Sequence, residues 1–129
     1  MINIVKSEIS TEAIRKITAT ELKKFSILPD VLSYYYMRES IVYIIVELKN
    51  TPTFSVFDLY STVAKKFNTS VSKVERAIRY GIEKAFFRNR EITEKAIIEY
   101  FSMSYPKGKR PTNSEFLFTV AEYIKFNLL

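Results

Sequence analysis

From residue 31 to residue 49 the chain reads VLSYYYMRESIVYIIVELK, with no glycine or proline and apolar side chains on almost every side through its centre. Such a segment belongs in the middle of a core, and the rest of the chain has to cover it. Its β-branched piece IVYIIV would suit a strand, but the uninterrupted length favours a helix, with Asp30 as a plausible N-cap. Tyr34, Tyr35 and Tyr36 would point in three directions on that helix, so core packing is expected of them rather than a shared base-stacking surface.

The flanking sequence reads as more helices, giving an all-α fold of about six. A first helix is expected over about 10–25, capped by Ser10 or Thr11, with Ala13, Ile14, Ile17 and Phe25 as a loose stripe. Pro29 and Asp30 punctuate before the central helix, and Asn50–Thr53 form a loop after it. Helices then follow near 55–67, 72–88 and 91–102. The loop SYPKGKRP ends the third of these. A last helix starts near Thr112 to Ser114, with Phe116, Val120, Ile124 and Phe126 available to pack; the closing run Ile124–Leu129 either finishes the core or offers a small self-contact. A length of 129 residues suits a single globular domain, read as an N-terminal helical segment over 1–28 joined to the main body over 29–129.

With no cysteine and no histidine, the chain lacks a thiolate nucleophile, a disulfide framework, and the commonest general base and zinc ligand. The 14 acidic residues are dispersed and mostly near a Lys or Arg, and there is no glycine-rich phosphate loop. Neither an enzyme nor a cofactor is expected. No run approaches the ~20 apolar residues of a membrane span, and MINIVKSEIS lacks the layout of a signal peptide. A cytoplasmic protein without membrane contact is expected.

The net charge of +6 is localised. Residues 1–62 carry seven basic and seven acidic side chains and residues 91–129 carry five of each, whereas residues 63–90 carry eight basic against two acidic. A basic surface confined to one supersecondary unit is the footprint of a polyanion binder. That unit, KKFNTSVSKVERAIRYGIEKAF, reads as helix, break, helix. Counting from Tyr60, it places small Ala64 at the fifth position, Asn68 in the turn and apolar Val74 at the fifteenth. Those are the requirements of a helix–turn–helix, with Asn accepting the left-handed turn conformation. Ser72 to Glu75 fits the S-x-x-E capping box, which would start the second helix at Ser72.

Val71, Val74, Ala77, Ile78, Ile82 and Ala85 form the buried stripe of that second helix, and Gly81 on the same side suits close approach of another helix. At about 100° per residue, Ser72, Arg76, Arg79 and Glu83 share an arc of roughly 60° on the opposite side. Arginine there can bond guanine O6 and N7 in a major groove. Glu75 can accept from cytosine N4, or serve in the cap and pair with Arg79.

The runs VAKKFNTSVSKVERAIRYGIEKAF (63–86) and KRPTNSEF (109–116), with a weaker one at YYYMRESI (34–41), resemble the C-terminal effector domain of the stage-zero sporulation response regulator. That family is the master sporulation transcription factor of endospore-forming bacteria. The resemblance spans roughly residues 29–125 and implies an all-helical domain that reads a short AT-flanked promoter box. It implies base reading by Glu75 and Arg76, with Arg79 as a further contact. It implies backbone contacts at the basic loop Lys107, Lys109 and Arg110 and at the helix start Thr112, Asn113 and Ser114, where a helix N-terminus beside cations suits phosphate. Lys65, Ser72, Lys73 and Lys84 complete the expected backbone set. The segment Phe86–Met103 is implied to touch the RNA polymerase sigma factor.

The family joins this domain to a phosphorylatable receiver, and the 28 or so residues before the match are too few for one. Control by aspartyl phosphorylation in cis is therefore not expected. The protein is expected to be a monomer in solution that pairs on tandem boxes. A sequence-specific transcription regulator binding double-stranded DNA is the leading expectation. The alternative is an interaction module that binds the sigma factor or the full-length regulator without reading DNA.

Overall fold

A computed structural model describes residues 9–48 and 55–129. Among the described residues six α-helices follow in order: α1 (Thr11–Lys23), α2 (Leu32–Tyr43), α3 (Val56–Lys66), α4 (Val71–Glu83), α5 (Arg90–Phe101) and α6 (Asn113–Asn127). α2 continues into a π-helical turn at Ile44–Leu48, and α4 into another at Lys84–Arg88. There is no strand among the described residues, so IVYIIV is helical as its length indicates. The expected loop Asn50–Thr53 lies outside the described residues.

α2 is the centre of the molecule, packing against α1, α3, α4 and α6. Tyr34, Tyr36, Met37, Ile41, Val42, Ile44 and Ile45 are buried along it, and Tyr35 is partly buried with its ring edge-on to Tyr34. The tyrosine run is therefore core. Asp30 is not the cap of α2. Val31 takes the extended half-in position (φ −125°, ψ 147°), with no side-chain hydrogen bond, so the Asp30 carboxylate sits one residue too early for the first helical N–H groups.

α1 is capped by Ser10, whose hydroxyl accepts from the Ala13 N–H. It ends before Ser26 at φ 59°, and the chain reversal carries Phe25 into an aromatic cluster. The Phe25 ring lies 5.0 Å from Tyr100 and 5.1 Å from Phe116, both edge-on, and 6.5 Å from Phe86. α1 is thus built into the same core as the other described helices.

α6 buries Phe116, Val120 and Ile124, each with no exposure, but leaves Phe126 74% exposed. The expected stripe is broken there for a geometric reason, since two residues after Ile124 the helix has turned about 200°. Ile124 finishes the core while Phe126 and Leu128 face outward. No helix among the described residues is long and apolar enough to cross a membrane.

Candidate nucleic-acid interface

The turn between α3 and α4 follows from three residues. Ala64 and Val74 are buried where the helices cross, and Asn68 sits at φ 53°. The Thr69 N–H donates to the Ala64 carbonyl at 2.9 Å and the Asn68 N–H to the Lys65 carbonyl at 3.2 Å. This 6→1 and 5→2 pair of bonds is a Schellman close of α3, which needs the left-handed residue that Asn supplies. Tyr60, Ala64, Asn68 and Val74 all occupy the positions read from the sequence.

Ser72, however, is not the cap. The Schellman turn ends at Thr69, so Ser70 is the first residue free to be extended (φ −104°, ψ 157°), and its hydroxyl accepts from the Lys73 N–H at 3.3 Å. α4 starts at Val71, Ser72 lies exposed in its first turn, and Glu75 is outside any capping box. Its carboxylate instead pairs with Arg79 at 3.3 Å. The box signature is realised elsewhere, at Thr112–Glu115, where each side chain bonds the other's backbone N–H, at 3.2 and 2.8 Å. T-x-x-E carries the same sequence signature as the S-x-x-E at Ser72, and only the former closes as a box.

Val74, Ile78 and Ile82 on the inner face of α4 have no exposure. A Cβ built on Gly81 would lie 2.8 Å from the Ser33 Cβ and 2.9 Å from the Met37 Cε, so α2 passes where only glycine fits. The outer face carries exposed Ser72, Lys73 and Arg76 and half-buried Arg79, with exposed Lys65 on the last turn of α3 and half-buried Lys84 beyond α4. Arg76 makes no hydrogen bond or ion pair among the described residues.

The second half of the site is brought alongside by α6. The Asn113 side-chain amide donates to the Glu75 backbone carbonyl at 3.1 Å, and Arg110 pairs with Glu83 at 3.4 Å while donating to the Pro111 carbonyl at 2.9 Å. Burial pushes the Tyr60 phenol up; a hydrogen bond from Asn113 opposes the rise and the Glu75 carboxylate adds to it. Asn113 therefore stands where α3, α4 and α6 meet. It and Arg110 are turned inward to hold α4, whereas Lys107, Lys109 and Thr112 remain exposed and Ser114 half-buried.

Between them the backbone makes a tight turn. The Lys109 N–H donates to the Pro106 carbonyl at 2.9 Å, with Gly108 at φ 81°, which presents Lys107 and Lys109 at the tip. The loop is fastened to α5 by Arg90, which pairs with Glu94 and donates to the Tyr105 carbonyl, and by Ser104, whose hydroxyl donates to Glu94 at 2.8 Å. The four-residue spacing of Arg90 and Glu94 was the available sequence signal for this fastening.

A second charged cluster was not foreseen. Glu39 on α2 is 5% exposed, with the Arg15 Nε at 3.0 Å, the Arg38 Nε at 2.9 Å and the Lys66 Nζ at 2.8 Å. Burial alone would raise its pKa, but hydrogen bonds from Arg15, Lys66 and Arg38 outweigh it and hold the carboxyl at about 2. Lys66, still half exposed, is thus engaged with the buried Glu39, joining the end of α3 to α1 and α2.

The outcome is a helix with two arginines facing out, locked to a basic loop and a capped helix N-terminus on one flank. A family model described as sporulation initiation factor Spo0A C terminal matches residues 17–124, entering within α1, earlier than the resemblance at 29. It takes in α2 to α5 whole and nearly all of α6. The chain belongs to this family of DNA-binding effector domains of a sporulation regulator.

Proposed function

We propose that the protein is a sequence-specific transcription regulator that reads promoter boxes with α4. Arg76 and Arg79 are the base readers, with Glu75 orienting Arg79 and accepting from cytosine. Lys65, Ser72, Lys73, Lys84, Lys107, Lys109 and the start of α6 hold phosphates. The observation that carries this reading is the Asn113 bond to the Glu75 carbonyl, which sets the phosphate-binding helix start beside the reading face. A pure adaptor has no use for that juxtaposition. Ile92 on α5 is 71% exposed and Phe87 44%, which supports the 86–103 segment as a surface for the sigma factor.

The test is a binding titration on a duplex selected from a random pool, against a scrambled control. Arg76→Ala should weaken specific binding by roughly 1–3 kcal/mol and spare non-specific binding, whereas Lys109→Ala should lower both and reduce the salt slope by about one. For about five to eight phosphates, log K should fall with log salt by about 0.9 per phosphate. Affinity that does not change with salt, or equal affinity for the two duplexes, would leave the adaptor reading standing.

A further inference from the structure

The 107–114 loop flanks the reading face of α4 on one side only. On the other flank stand two side chains that neither the base-reading nor the backbone set employs. Tyr80 lies one turn beyond Arg76, about 40° further round and on the side away from Glu75. It is 50% exposed. Arg88 lies over its ring with the guanidinium carbon 5.7 Å from the centroid, and its Nη1 donates to the Tyr80 hydroxyl at 3.3 Å. No carboxylate among the described residues pairs with Arg88.

The π turn after α4 brings this pair together. In a continuous α-helix Arg88 would sit about 80° round from Tyr80. The wider turn at Lys84–Arg88, closed by the Asn89 N–H on the Lys84 carbonyl at 2.9 Å, rotates less per residue and returns Arg88 toward the Tyr80 side. The distortion is held from the core, since the buried Thr93 hydroxyl donates to the Ala85 carbonyl at 2.7 Å. A built-in irregularity of this kind is frequent at functional sites.

We propose that Tyr80 and Arg88 form a second phosphate clamp, gripping the DNA strand opposite the one held by the 107–114 loop. The proposal rests on the reading of DNA by α4. When the first turns of α4 meet base edges, Tyr80 lies about 6 Å further along the axis, at the groove wall and on the far flank from Lys107 and Lys109. The Tyr80 hydroxyl accepts from Arg88, so its own proton is free for a phosphate oxygen, and accepting from a cation makes it a better donor. The remaining guanidinium N–H groups supply the charge.

The experiment uses the full chain and a duplex that the wild-type protein selects from a random pool. Tyr80→Phe should weaken binding about three- to tenfold and Arg88→Gln about tenfold, with Arg88→Gln lowering the salt slope by about one. Single uncharged methylphosphonates on the strand opposite the Lys109 contact should weaken the wild type and leave Arg88→Gln unaffected. Unchanged affinity and slope in both variants, while Arg76→Ala still loses specific binding, would overturn the clamp and spare the reading of DNA. Equal methylphosphonate effects in wild type and Arg88→Gln would also overturn it. If the wild type selects no duplex, the reading of DNA falls and the clamp with it.

Discussion

Glu39→Gln replaces a buried carboxylate by an amide of nearly the same shape and leaves Arg15, Arg38 and Lys66 facing a neutral group. The carboxyl is held at about 2 from an ordinary 4.5. That displacement corresponds to about 3 kcal/mol favouring the charged folded form. The three cations retain 26%, 24% and 47% side-chain exposure, so water relieves part of their loss, and the expected cost at pH 7 is roughly 2–3 kcal/mol. The melting temperature should fall by on the order of 10 °C. Because the folded pKa is depressed, this stabilisation is complete above the unfolded pKa and is lost as pH falls through the folded value. The gap between wild type and variant should therefore be constant from pH 7 to about 5 and close progressively between about 4.5 and 2. Urea unfolding followed by circular dichroism at several pH values measures it. A gap that persists unchanged at pH 2.5 would show that packing, not charge, is the source, and no gap at pH 7 would refute the electrostatic reasoning outright.

Ser70→Ala should cost about 1 kcal/mol in thermal melts while Ser72→Ala stays within about 0.5, because only Ser70 caps α4; the reverse order would restore the cap to Ser72. Asn68→Gly should leave stability unchanged or raise it by up to about 1 kcal/mol, and Asn68→Val should lower it by about 1–2, since Asn68 is left-handed. Gly81→Val should lower stability by roughly 2–3 kcal/mol, because the Ser33 Cβ is anchored on the α2 backbone and cannot swing aside; chemical denaturation that showed no loss would mean that α2 yields.

The elements readable in the sequence were those fixed by local chemistry. The uninterrupted run through α2, the Ala64, Asn68 and Val74 positions and the apolar stripe of α4 each depend on residues within two or three turns of one another. Gly81 was legible because a glycine on a buried stripe has few other uses. The N-cap of α4 was misread since two serines compete for the role two residues apart, and the Schellman close of α3 decides between them. Phe126 leaves the stripe because the helix turns about 200° in the two residues after Ile124, which apolar character alone does not reveal. The Glu39 cluster and the Asn113 and Arg110 ties bring together residues 15, 39 and 66, or 75, 83, 110 and 113, and no local pattern announces pairings of that range. The π turn at Lys84–Arg88 likewise depends on packing, with Thr93 taking a carbonyl that an ordinary helix would have used.

The Asn113 and Arg110 ties also bear on which DNA the protein can accept. With α4 and the 107–114 turn fastened at two points a helical turn or more apart, the distance from the outer face of α4 to that turn is a property of the protein. On the proposed reading of DNA by α4, a duplex must supply base edges and backbone at that same separation. Sequences whose local twist or groove width differ have to be deformed to fit, at a cost set by base steps that no side chain touches. On that proposed reading, rigidity inside the protein becomes selectivity among DNA shapes, felt at positions that Arg76 and Arg79 do not touch.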